Sequence, residues 1–195
     1  MKKSILFIGN SYTYYHNMPE SIFASKASVA GLDFEVHAVT HGGYFLSQFA
    51  DPQDDEGLRL RAVIENRRFD YIVLQDHSLS TITGPGNFFD GISRMKSLLA
   101  DRTDHFILFA TWGRKPGCET LEEIGMSHEE MTRHIAEYYD EAGQRFDMRV
   151  AHVGRAFSAY AQEHPEAELY FSDLHHSSQL GSTIAAEVIL KAITG

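Results

Sequence analysis

Three uninterrupted apolar runs of strand length constrain this chain more than any other feature: Ile5-Leu6-Phe7-Ile8, Tyr71-Ile72-Val73-Leu74 and Phe106-Ile107-Leu108-Phe109-Ala110. A strand with one face in water alternates apolar and polar residues. A strand that is apolar at every position is covered on both faces, as parallel strands between helical layers are. Phe34, Val36 and Ala38 do alternate with polar residues, which predicts a strand nearer an edge, and a fifth strand is expected over 148–153. Helical patterns fall between these runs. One extends from Pro19, a residue favoured in a first turn, to Ala30, with Gly31 as its stop. Others cover about 56–67, 88–100, 127–146 and 154–163. The last helix sets Leu180, Ile184 and Val188 on one stripe, with Ala185 and Ile189 beside it. This repeated β-α alternation predicts a three-layer α/β/α sandwich of about five parallel strands. The 195 residues suffice for one domain with a substantial core, and neither a repeat nor a linker divides them, so 1–195 is read as a single domain.

Charge and cysteine content narrow the partners. With 17 basic against 27 acidic residues the chain carries a net charge of −10 and has no basic run, which argues against nucleic acid as a partner. Cys118 is the only cysteine, so neither an intrachain disulfide nor a thiolate metal cluster can form. Lys2-Lys3 resembles the head of a signal peptide, but the apolar stretch behind it is too short for one, and no run approaches a membrane span. A cytoplasmic location away from the membrane is the expectation.

A parallel α/β sheet gathers its functional groups beyond the carboxyl ends of its strands. Ser11 follows the first strand, His41-Gly42-Gly43 the second, Gln75-Asp76-His77-Ser78 the third and Thr111-Trp112-Gly113 the fourth. In Gly9-Asn10-Ser11-Tyr12-Thr13, a serine hydroxyl at a strand-to-helix turn stands clear of the sheet, beside backbone N–H groups that can face an oxyanion. A serine there also serves simply as a helix cap. Near the other end, Ser172-Asp173-Leu174-His175-His176-Ser177 places a carboxylate three residues before an imidazole. One loop can then supply both a base and the group that orients it. Without the first motif, that loop reads as a solvated polar segment capping the last helix.

Taken together, the two motifs resemble those of the SGNH hydrolases, the GDSL esterase/lipase family. Gly9-Asn10-Ser11-Tyr12-Thr13 is similar to its first block, Gly-Asp-Ser-x-Thr, and Asp173-x-x-His176 with Gly181 and an Ala-rich helix behind it is similar to its last. The resemblance spans nearly the whole chain and implies a flavodoxin-like fold with a Ser11–His176–Asp173 triad. It implies a backbone oxyanion donor in His41-Gly42-Gly43-Tyr44-Phe45-Leu46, where the Gly-x-x-Leu spacing favours Gly43 with Gly42 next to it. The family's third block, Gly-x-Asn-Asp, is absent; Gln75-Asp76-His77-Ser78 stands there. By analogy with carbohydrate-esterase branches, Gln75 is expected as the side-chain donor, completing a hole with the Ser11 and Gly43 N–H groups, while His77 competes for that role. Asn10 replaces the usual Asp and Ser177 the usual Pro, which leaves His175 a rival base; the spacing to Asp173 and Gly181 selects His176.

The implied activity is hydrolysis of a carboxylic ester with a short acyl group, such as an O-acetyl ester of a carbohydrate, through an acyl-enzyme and without a cofactor. Tyr12, Tyr44, His77 and Trp112 are expected to bind this small-molecule substrate. The aromatic set Tyr12, Tyr14, Tyr15, Tyr44 and Phe45 can stack on a sugar or line an acyl pocket, although core packing explains most aromatic residues. No predicted helix carries the His spacing of a zinc site, so no metal is expected. A non-catalytic flavodoxin-like or glycan-binding module is the alternative on the same fold.

Overall fold

The computed structural model describes residues 2–195. The chain runs β1 (Lys3–Gly9), α1 (Ser11–Tyr14), a 3₁₀ turn at Tyr15–Asn17, a π-helical turn at Met18–Phe23, α2 (Ala24–Val29) and β2 (Phe34–Thr40). It continues through α3 (Leu46–Phe49), α4 (Asp55–Ile64), β3 (Tyr71–Leu74), α5 (Ser80–Thr83), α6 (Pro85–Leu99) and β4 (Phe106–Ala110). The remainder is α7 (Glu119–Ile124), α8 (His128–Phe146), β5 (Arg149–His152), α9 (Val153–Glu163) and α10 (Gln179–Thr194). The five strands form one sheet in the order β2-β1-β3-β4-β5, and every pairing is parallel. This is the flavodoxin-like order.

The apolar runs are explained by a core on each face. Leu6 and Ile8 of β1 join Ile72, Leu74 and Leu108 against Leu60, Phe88, Ile92, Met131 and Ile135 from α4, α6 and α8. The alternate residues Ile5 and Phe7 join Val73, Ile107 and Phe109 against Phe23, Phe157, Ile184 and Ile189. The period-2 alternation of a strand thus feeds both layers, and each fully buried side chain of this kind stabilises the fold by roughly 1.5–3 kcal/mol. The strand expected at an edge, β2, is at an edge.

The helix expected to start near Pro19 begins instead as the π turn at Met18–Phe23, entered through His16 and Asn17 in the left-handed region (φ 56° and 52°). The short helices α3, α5 and α7 had no periodic signal, since four to six residues span less than two turns. No helix of the described residues is long and apolar enough to cross a membrane. The chain reverses direction across the sheet between β1 and β3, so the topological switch point lies beyond the C-terminal end of β1, where Ser11 follows directly.

Candidate active site

The turn that carries Ser11 is built from below. Asn10 is extended and caps α1, its Oδ1 accepting the Tyr12 N–H at 3.1 Å, while its Nδ2 donates to the Tyr44 carbonyl at 3.0 Å. The second bond ties the loop after β2 to the turn. Gly9 has no room for a side chain: a Cβ there would meet Thr13 Oγ1 at 2.5 Å and Gln75 Oε1 at 2.6 Å. The Ser11 N–H is at the first position of α1 and has no intrahelical acceptor, so it is free to face a ligand.

The loop before α10 approaches from the other end of the chain. Tyr170 and Ser177 form an antiparallel bridge, the Phe171 N–H donates to the His176 carbonyl at 2.8 Å and Leu174 turns the chain at φ 65°. Ser178 caps α10 through the Gly181 N–H. This framework fixes the loop although Ser177 stands where a Pro was expected. Asp173 Oδ1 accepts the backbone N–H groups of His175 (3.1 Å) and His176 (2.9 Å), and Oδ2 accepts from His176 Nδ1 at 2.7 Å. An ionised carboxylate can only accept, so Nδ1 carries the proton and Nε2 is left with a lone pair. That lone pair faces Ser11, whose hydroxyl donates to it at 2.7 Å. The Tyr15 ring lies flat on His176, with centroids 4.1 Å apart and planes 6° from parallel.

The electrostatics suit this relay. Burial pushes the Asp173 carboxyl up, but the hydrogen bonds from the His176 side chain and backbone, then the His175 N–H and imidazole, outweigh it and hold the group at about 2. His175 is lowered chiefly by burial, with Arg114 and His176 adding to the effect. His77 is lowered by burial and by His175. Asp76 is wholly buried and pushed up to about 6, even though the Leu46 and His77 N–H groups and Ser80 donate to it.

His176 and Ser11 lie at hydrogen-bonding distance, and His175 does not reach Ser11: its Nδ1 is within 3.1 Å of the Asp173 carbonyl. Gly43 sits in the tied loop with φ 74°, a conformation that favours glycine, and its N–H makes no hydrogen bond among the described residues. Gln75 does not fit the role of oxyanion donor. It is fully buried beneath the turn, its Oε1 accepting from the Asn10 N–H at 2.9 Å and the Thr13 hydroxyl at 2.8 Å, and its Nε2 donating to the Asp76 carbonyl. Because the Asn10 N–H can only donate, the atom facing it must be the oxygen, and the carboxamide is spent on the scaffold.

Tyr12 and Trp112 are likewise not substrate contacts. Tyr12 is 5% exposed and Trp112 fully buried. The Tyr12 hydroxyl accepts from Arg114, and Trp112 stacks on Phe157 at 4.4 Å while its Nε1 donates to the His175 carbonyl at 3.0 Å. Both shape the wall behind the Ser11, His176 and Asp173 side chains. Tyr44 is half-buried and packs against His41 at 4.1 Å. His77 is half-buried and stacked on Phe45 at 4.6 Å, with its Nδ1 accepting the Leu79 N–H at 3.3 Å. That bond leaves the proton of the neutral ring on Nε2.

Sequence reasoning missed three contributors, Phe171, His16 and Arg114, and named a fourth, Tyr15, only among the loop aromatics. Tyr15 covers His176, and Phe171 meets Tyr15 edge-on at 6.1 Å. His16 Nε2 lies 3.0 Å from the Ser177 carbonyl, to which it donates. Arg114, 6% exposed, holds Tyr12 and leaves its Nε without a partner among the described residues. The Tyr170-Phe171 pair just ahead of Ser172-Asp173 was the available signal for an aromatic rim. Asp173, His175 and His176 present atoms close enough together to share a cation. However, the Asp173–His176 hydrogen bond and the Ser11 hydroxyl already occupy the lone pairs a metal would take from His176 and much of those on Asp173.

No family model matches the chain, and no curated protein matches it by sequence. Solved structures do. A protein of Slackia heliotrinireducens described as an SGNH hydrolase is 26% identical over 99% of this chain and 100% of its own, with a TM-score of 0.85. A GDSL-like lipase from Parabacteroides merdae shares the fold at 14% identity, covering 100% of this chain and 97% of that one, with a TM-score of 0.71. The acetyl xylan esterase AlAXEase does so at 14% identity over 97% and 99%, with a TM-score of 0.73. In sheet order, in the placement of its end motifs and in these likenesses, the chain has the fold of the SGNH/GDSL hydrolases and is similar to them along its whole length.

Proposed function

We propose that the chain is a serine esterase that hydrolyses carboxylic esters with a short acyl group, O-acetyl esters of carbohydrates being the preferred class. The observation that carries this reading is the unbroken relay from Asp173 through His176 to Ser11, with both side-chain contacts at 2.7 Å. Ser11 Oγ attacks the ester carbonyl as His176 Nε2 takes its proton, and Asp173 orients and stabilises the imidazolium. His176 then returns the proton to the leaving alcohol oxygen. Water, deprotonated by the same imidazole, cleaves the acyl-enzyme and releases the acid.

The tetrahedral oxyanion is held by the Ser11 and Gly43 N–H groups and, in place of Gln75, by the His77 Nε2–H. Such donors act because they are fixed before charge develops. The neutral tautomer set by the Leu79 N–H supports this assignment of His77, as does its burial against Phe45. The choice of a short acyl group on a carbohydrate is supported by the fold shared with AlAXEase.

Hydrolysis of p-nitrophenyl acetate, compared between the protein and Ser11→Ala, tests the reading. Loss of at least about a thousandfold in kcat is expected, together with a single fluorophosphonate adduct mapping to Ser11 by intact mass and peptide analysis. Equal rates for the two proteins would remove the enzyme and leave a binding module on the same fold.

A further inference from the structure

Among the described residues, four large apolar side chains are conspicuously exposed: Tyr14 (38%), Val29 (86%), Leu58 (53%) and Phe171 (47%). Two of them, Tyr14 and Phe171, drawn from opposite ends of the chain, each neighbour Tyr15 beside the candidate active site. Tyr14 lies 6.0 Å from Tyr15 between ring centroids, Tyr15 lies 6.1 Å from Phe171, and Tyr15 is itself stacked on His176. Exposed aromatic surface is costly to leave in water, and here it is contiguous with a reacting group rather than scattered.

The reaction order decides which half of an ester this surface can touch. His176 Nε2 must reach the oxygen of the departing alcohol, so whatever packs on that imidazole borders the alcohol. The acyl group and its oxyanion lie toward the donors of the Gly43 loop and His77. We infer that Tyr15 and Phe171, flanked by Tyr14, form a stacking platform for a neutral sugar ring that carries the ester, on the leaving-group side of the site. This rests on the esterase reading above and assigns its alcohol subsite. The surface presents ring faces and edges, with Phe171 47% exposed and the Tyr15 phenol beside it, while the Tyr14 hydroxyl reaches toward Gly42. It matches a ring that has an apolar C–H face and a hydroxylated edge, whereas an alkyl chain needs an enclosed apolar slot. The net charge of −10 disfavours phosphorylated alcohols.

The test compares kcat/KM for a mono-O-acetylated methyl xyloside with that for ethyl acetate, whose alcohol is too small to span the platform. Phe171→Ala is expected to lower this ratio by about five- to tenfold, in line with the worth of one aromatic contact. Phe171→Trp should restore the ratio, and Leu58→Ala, at an exposed apolar residue of α4, should leave it alone. An unchanged ratio in Phe171→Ala would overturn the inference. So would a selective loss of ethyl octanoate against ethyl acetate, which would put the platform on the acyl side. Either result, with Ser11-dependent hydrolysis intact, leaves the esterase reading standing; loss of that dependence would strike the reading itself.

Discussion

Replacing Gln75 with Met separates a scaffold role from a catalytic one. The side chain is similar in length and apolar, so the volume beneath the Ser11 turn is nearly kept while every hydrogen bond of the carboxamide is removed. Two donors lose their acceptor: the Asn10 N–H and the Thr13 hydroxyl, on residues each only 1% exposed. A buried donor left unpaired costs about 1–3 kcal/mol, so the pair should cost on the order of 4 kcal/mol. For a chain of this size that corresponds to a fall in Tm of roughly 8–16 °C. An oxyanion donor predicts something else: a loss of about a hundredfold or more in kcat with the melting curve in place. Thermal melts followed by circular dichroism, paired with p-nitrophenyl acetate turnover well below the transition, read both quantities on the same variant. A Gln75→Met protein that melts within about 2 °C of the parent yet turns over a hundredfold more slowly would refute the reasoning. The carboxamide would then face the substrate.

His77→Ala should give the complementary pattern, a fall in kcat of about a hundredfold with little change in KM or Tm. His77→Gln should recover part of the loss, because an amide N–H can replace the imidazole donor. Asp76 links Leu46, at the head of α3, to the His77 loop, and its carboxyl is raised from 3.8 to about 6, chiefly by burial. The folded state therefore binds this proton more tightly than the unfolded chain does. Its stabilising contribution is complete below pH 3.8 and is lost as pH rises through about 6, an effect on the order of 3 kcal/mol. Urea unfolding of Asp76→Asn and the parent between pH 4 and 7.5 should show the variant gaining relative stability as pH rises; a constant difference would mean that the carboxyl is ionised throughout.

The strands were legible because burial on two faces writes itself into composition, as in Ile5-Leu6-Phe7-Ile8 and Phe106–Ala110. Asp173 and His176 were legible because three residues of one loop fix their mutual reach. Gln75 was misjudged for a physical reason: a sequence locates a carboxamide at a strand end but does not say which way it is consumed, and here both ends serve the turn. Tyr12 and Trp112 were misjudged because placement in a loop near the site does not determine exposure. Their rings stack on one another at 4.8 Å and fill the wall behind the histidines. Tyr15 entered only as one of several loop aromatics, and its place on His176 depends on the left-handed His16 and Asn17, which no pattern announced.

That strained turn explains how residues 165 positions apart are held at hydrogen-bonding distance. Two consecutive non-glycine residues in the left-handed region cost on the order of 1–3 kcal/mol each and persist only if neighbouring contacts over-determine them. Those contacts run to the loop that carries His176 and to the first turn of α10: His16 to the Ser177 carbonyl, Tyr15 onto His176, and Ser182 of α10 toward the Tyr15 carbonyl. A third loop, after β4, clamps both partners. Arg114 grips the hydroxyl of Tyr12, next to Ser11, while Trp112 Nε1 and the Gly113 carbonyl hold His175 and Tyr170. The relay geometry is therefore a property of three loops acting as a unit. Damage to any one of them should lower turnover through the Ser11–His176 distance even where no atom of the substrate is touched.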